Sequence, residues 1–245
     1  MSNTAVRNAT LLASGLALLV LGSRPRDAPA HSGGDEMLQP VETNDGSFVD
    51  GPSVPIDAAH RRAVAHKGVW LHVVTADDGG VLVLRRSKRM VTCPGLLSII
   101  GEHHKGREDD EGCAHRAMHE ELPALERLPA HTVELVRLRE KPRWFLYDYP
   151  DGSRRDRALI VEYVVVLRSM NRSVAAARLL RTPSSELGTS GGFEQEAEAG
   201  SQTFESLGHF HKTLERDPGH FCAPELFPRA LLDSAVDICR LLRLR

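Results

Sequence analysis

The sequence predicts an α/β domain, and three observations carry that prediction. Two stretches read strand, turn, strand; a charged segment between them has its acidic and basic residues at helical spacing; and the closing stretch repeats apolar residues along one helical face. At 245 residues the chain can build one full core, or one domain with tails. No internal repeat is visible.

Arg7 precedes an apolar run from Ala9 to Gly22, with no acidic residue before Asp27. A positive start followed by an apolar run of this length has the build of a signal peptide, and it is shorter than the roughly 20 residues that span a bilayer. Residues 1–30 are therefore read as a signal, targeting or anchor segment. The expected localisation is the secretory pathway or a membrane anchor, with organelle targeting as the alternative. Residues 31–53, rich in Pro, Gly, Ser, Asp and Asn, read as a flexible linker, and the domain is placed at 54–245.

From Gly68, two apolar runs flank Asp77, Asp78, Gly79 and Gly80, a strong hairpin signal, and the second run ends on Arg85 and Arg86. Pro94 and Gly95 make a turn before a short buried strand over Leu96–Ile100. Next comes the segment Gly101–Glu121, where Arg116 and Glu120 are i,i+4 neighbours on a helix and positions 117, 120 and 121 share one stripe. Adjacent carboxylates on a stripe suit a hard divalent cation, although charged helix faces are more often simply solvated. Pro123 ends the helix.

Thr132–Arg139 alternates as a half-buried strand. A second hairpin follows, turning at Pro150, Asp151 and Gly152, with Trp144, Tyr147 and Tyr149 either stacking on a base or packing a sheet face. Ser184–Thr203 reads as an acidic loop carrying Glu194, Glu196 and Glu198, and a closing amphipathic helix runs from Pro224 onward.

Composition excludes some classes. The net charge is −2 and no basic run is interleaved with aromatics, which argues against specific nucleic-acid binding. Cys93, Cys113, Cys222 and Cys239 have no C-x-x-C spacing, so a cysteine zinc site is not expected, while disulfide pairing stays open for an exported chain. The twelve histidines are dispersed.

Glu108, seven residues, Arg116, Met118 in a bulky aliphatic position, then Glu120 and Glu121: this register resembles the signature of the Nudix hydrolases. Three departures accompany it. Ala117 stands in place of the first Glu of the R-E-U-x-E-E core, Pro123 in place of a Gly, and Gly101 lies one residue too far from Glu108. The resemblance implies an α/β/α sandwich with a mixed β-sheet and hydrolysis of a phosphoanhydride in a nucleoside diphosphate-linked or related organic diphosphate. It implies Mg²⁺ or Mn²⁺ held by Glu120 and Glu121 with help from Gly101, and Arg116 orienting those carboxylates. Glu198, from the late loop, is implied as an additional ligand or base. Arg85, Arg86 and Trp144 are expected to meet the small-molecule diphosphate. Two alternatives accompany this reading: a catalytically impaired Nudix-fold binding module, and an isopentenyl-diphosphate isomerase-like enzyme.

Overall fold

A computed structural model describes residues 36–86, 88, 93–149, 151–180, 197–223 and 227–243. The N-terminal segment through residue 30, together with Glu194 and Glu196, lies outside these residues. In chain order the elements are β1 (Met37–Leu38), β2 (Val54–Pro55), α1 (Ile56–Arg62), β3 (His66–Thr75), β4 (Gly80–Arg86), β5 (Leu97–Ser98) and β6 (Ile100–His103). They continue as α2 (Asp110–Glu121), β7 (Val133–Arg137), β8 (Arg143–Asp148), β9 (Arg155–Leu167), α3 (Arg172–Leu179), β10 (Ala197–Ser206), α4 (Leu207–Arg216) and α5 (Phe227–Arg243).

The centre is a parallel pair, β3 with β9, running in unbroken register from His66 opposite Ala158 to Thr75 opposite Leu167. Such a pair is covered on both faces, so both strands read as nearly continuous apolar runs. The mixed sheet is ordered β10-β4-β3-β9-β7, with β6 beside the first half of β3, β5 beside the end of β4, and β8 beside the first half of β9. Alternation then sorts the side chains. Val69, Leu71, Val73, Val161, Tyr163 and Val165 face one layer with Cys113, Ala114 and Ala117 of α2 and Ala175 and Leu179 of α3. Val74, Ile160, Val164 and Val166 face the other with Phe210 and Leu214 of α4 and Leu231, Ala235 and Ile238 of α5. The architecture is an α/β/α sandwich on a mixed sheet, as expected.

Local chemistry explains both hairpins. Between β3 and β4, the Thr75 hydroxyl donates to Asp78 at 2.6 Å and accepts from the Gly80 amide at 2.8 Å, while Gly79 supplies the left-handed φ of +59°. Between β8 and β9, Gly152 has φ +68° and Asp151 accepts from Ser153. The stretch expected as one buried strand before the motif divides into β5 and β6, which pair with β4 and β3 respectively.

The linker boundary needs correction. Residues 36–53 are packed: Leu38 is 1% exposed and Val41 5%, β1 pairs with β2, and the Val41 amide donates to the Ala65 carbonyl. The polar composition that suggested a linker belongs to a tight turn, Glu42 to Ser47, and to Gln39, which donates to the Val49 carbonyl. A few spaced apolar residues suffice to anchor such a segment. Beyond the sheet, Cys93 and Cys222 form a disulfide across 129 residues of sequence, a closure of the order of 4 to 5 kcal/mol in the chain-entropy view.

Candidate active site

The helix α2 starts where Asp109 caps it, its carboxylate accepting from the Gly112 amide at 2.6 Å, with Asp110 and Glu111 in the first turn where the helix dipole favours negative charge. It ends at Leu122, ahead of Pro123. This fixes which residues meet β6 and the loop between them.

Arg116 is the hub. Its guanidinium donates to both Glu108 oxygens (2.6 and 3.2 Å), to Glu120 at 3.0 Å and to the His103 carbonyl at 2.6 Å, and it pairs with Glu102 at 3.0 Å. The planar fork of arginine suits such multiple carboxylate bonds. Lys105 adds a second cation, reaching both Glu120 oxygens at 3.0 Å, and its amide donates to Glu108. Three carboxylates thus share one arginine and one lysine, with half-buried Glu121 alongside Glu120 on α2.

The electrostatics set burial against the bonds to Arg116. Burial pushes the Arg116 pKa down, but the Glu108 and Glu102 bonds outweigh it and hold the guanidinium above its ordinary value. Burial likewise raises Glu108, and its bonds to Arg116 and the Lys105 amide more than reverse that. At Glu102 burial wins, so its pKa stays above the usual carboxylate value despite Arg116. A carboxylate in that state gains from an added cation.

Ala117 is fully buried among apolar residues, so its position on the stripe faces the core while Glu120 and Glu121 stay half-exposed. A glutamate there would begin in an apolar layer, which explains in packing terms what the sequence register left as a bare substitution. Gly101 lies in β6 in register with Trp70, one residue before Glu102.

The remaining expected residues scatter. Arg85 donates to the Gly95 carbonyl at 2.7 Å and bridges the turn between β4 and β5, and alternation sets it with Val81 and Val83, on the face away from α2. Arg86 ends β4, paired with Ala197. Trp144 sits in β8 opposite Leu159, and β9 and β3 intervene before β6, so it is about 14 Å from the motif across the sheet. Arg85 and Trp144, expected to meet the diphosphate, thus do not gather beside Glu120. Glu198 lies in the first part of β10, where only the strand itself is described. Phe204, in the same strand, is core. A depression lined by Asp109, Asp110, Glu111, Leu135, Arg137 and Tyr163 opens at the start of α2, about 15 Å along the helix from Glu120.

No family model and no curated protein matches the sequence. Among solved structures, the chain is similar to the Ap4A hydrolase of C. elegans in a binary complex, at 12% identity over 73% of this chain and 98% of that one, with a TM-score of 0.45. It is similar to the NUDIX domain of Shewanella oneidensis NrtR complexed with ADP ribose (14% identity, 74% and 92% covered, TM-score 0.42). It is also similar to a hydrolase of the NUDIX family from Clostridium perfringens (13% identity, 72% and 97% covered, TM-score 0.40). The resemblance is to Nudix proteins. Against the Nudix signature, the chain keeps Glu108, Arg116, Glu120 and Glu121, and the structure gathers Glu108 and Glu120 on Arg116. It brings in Glu102, the residue after Gly101 in β6. Lys105 on Glu120 carried no sequence signal.

Proposed function

We propose that the protein is a Nudix-type hydrolase that uses a divalent metal to open a phosphoanhydride in a nucleoside diphosphate-linked or related organic diphosphate. The observation that carries this reading is the convergence of Glu102, Glu108 and Glu120 on Arg116, with Glu121 one residue further along α2. All the donors are oxygens, which fits Mg²⁺ or Mn²⁺, ions that share their shell with substrate phosphates. Glu120 and Glu121, with the Gly101 carbonyl, would hold the ion, which when bound neutralises charge developing on the phosphoryl oxygens. Arg116 holds the carboxylates in place, and a cation beside Glu102 would favour its ionised form, which supplies the negative charge that Ala117 does not. Lys105 must release Glu120, and its ammonium is then available to the substrate's phosphates.

Two observations favour the impaired binding module instead: Glu120 is already neutralised by Arg116 and Lys105, and position 117 is closed by packing. Diphosphate hydrolysis separates the two. Wild type and Glu121→Gln are to be assayed with Mg²⁺ and with Mn²⁺ on nucleoside diphosphate-linked and isoprenoid diphosphates. Activity in wild type, lost by roughly 100-fold or more in Glu121→Gln, supports the hydrolase. Silence in wild type with retained nucleotide binding supports the binder, and isomerised isoprenoid product the third reading.

We also propose that the chain is exported or membrane-anchored through residues 1–30. The Cys93–Cys222 disulfide supports this, since such bonds persist in oxidising compartments, as does the exposed sequon at Asn171. Recovery of the tagged full-length chain in the cytosol with both thiols free would defeat it.

A further inference from the structure

His60, His66, His103 and Asp156 come from four different elements, the end of α1, the start of β3, the end of β6 and the start of β9, and their ligand atoms all lie within 4.8 Å of one another. They stand apart from the carboxylates around Arg116: the alternation that sends Glu102 toward α2 sends His103, its neighbour, to the other face of the sheet. We propose that these four side chains form a closed zinc site of three histidines and one aspartate, with a structural role.

On each histidine, Nδ1 faces a partner of its own. His66 Nδ1 donates to the Val64 carbonyl at 3.0 Å, His103 Nδ1 donates to Glu36 at 3.0 Å, and His60 Nδ1 faces the Tyr149 hydroxyl at 3.5 Å. In each case the partner occupies Nδ1 and leaves Nε2 for the ion. Histidine ligands are commonly oriented by a carbonyl or carboxylate on the far nitrogen in this way. His60 Nε2, His66 Nε2 and Asp156 Oδ1 are buried with no hydrogen-bond partner. His66 itself is 1% exposed and His60 7%. Leaving three such atoms unpaired costs several kcal/mol, a cost that a shared cation removes.

Geometry and charge agree with zinc over a hard ion. His66 Nε2 and Asp156 Oδ1 are 3.4 Å apart, and ligands at 2.0 to 2.1 Å from a tetrahedral centre are separated by about 3.4 Å. Three imidazoles and one carboxylate suit zinc, whereas Mg²⁺ takes oxygen ligands and octahedral geometry. Asp156 on the ion and Glu36 behind His103 together offset a charge of two. Four protein ligands leave no open position, the arrangement of structural sites. The ion would pin α1 and, through Glu36, the segment leading into β1, onto the central strands. It would also steady β6, whose His103 carbonyl accepts from Arg116.

The test uses the full chain loaded with zinc, dialysed into Mg²⁺ buffer and analysed for metal content. About one zinc per chain is expected in wild type and in the Glu120→Gln/Glu121→Gln double variant, and substitution by Co²⁺ should give the visible ligand-field bands of a tetrahedral site. His66→Ala and Asp156→Asn should lose that equivalent and those bands. Should either variant fail to fold, wild type decides alone, because zinc added to the metal-free chain should raise its melting temperature as binding is linked to folding. Wild type that retains no zinc, or an ion that survives His66→Ala and disappears with Glu121→Gln, overturns the site.

Discussion

Two charge clusters flank the central strands of this protein, and they are built as opposites. Around Arg116, one arginine and one lysine hold three glutamates. Around Glu162, on the other face, one buried glutamate is held by Arg139 at 3.2 Å, by Arg143, by His72 at 3.1 Å and by Ser234. The first has negative charge to spare and stands at the surface. The second is dominated by cations and closed beneath α5, whose Asp237 accepts from Arg139 at 2.9 Å. That balance decides which cluster can take up a ligand. An excess of carboxylates invites a cation, whereas a glutamate already surrounded by four donors is finished as a structural joint. Burial pulls both glutamates toward the neutral form. It prevails at Glu102, but at Glu162 the His72 and Arg143 interactions and the Ser234 bond prevail, and the pKa falls to about 2.

The comparison breaks most sharply at Glu162. Glu162→Gln leaves two arginines without their shared carboxylate, and chemical denaturation should show a loss of roughly 3 to 5 kcal/mol. Its native pKa of about 2 is below the 4.5 of the free side chain, so its contribution is present above pH 4.5 and lost as the pH falls from there toward 2. The gap between wild type and Glu162→Gln in a pH series should therefore close on acidification. A gap that is constant with pH would show that the charge of Glu162 is not what holds the joint.

Ala117→Glu probes the other face. A carboxylate placed among Cys113, Ala114 and their apolar neighbours should cost about 2 to 3 kcal/mol without metal. If that position borders a cation site, Mn²⁺ should restore part of the melting temperature; an unchanged melt in Mn²⁺ would show that the position is core alone. Asp109→Ala removes the cap of α2 and should cost about 1 kcal/mol by denaturation. Smallest of all, Glu102→Gln should leave stability at neutral pH within about 0.5 kcal/mol of wild type or slightly above it. The raised pKa of Glu102 favours its protonated form, a stabilising contribution present at low pH and lost as the pH rises through the raised value. Opposite signs for Glu102→Gln and Glu162→Gln at neutral pH would sharpen the contrast; a large loss in both would erase it.

What the sequence made legible was local. Both hairpins, the helix ended by Pro123 and the apolar stripe of α5 follow from patterns a few residues long, and so does the Arg116–Glu120 pair. Glu102 joined the hub only because β6 pairs with β3 in one register, which sets Glu102 on the side of α2 and His103 on the other. The Glu162 joint draws on residues from His72 to Asp237, and the histidine cluster on positions 60, 66, 103 and 156, separations at which no spacing rule operates. Residues 36–53 were misread because turn chemistry and linker composition use the same amino acids, and only burial of Leu38 and Val41 distinguishes them.

The Cys93–Cys222 bond has a consequence for how the molecule comes apart. It encloses more than half of the chain in a covalent ring, so hydrolysis of any one peptide bond between those residues opens the ring without releasing a piece. A protease-clipped molecule should run as a single species on a denaturing gel until a thiol is added, and only then separate into two. Damage to this protein would accordingly be recorded at the first cut and become visible only on reduction.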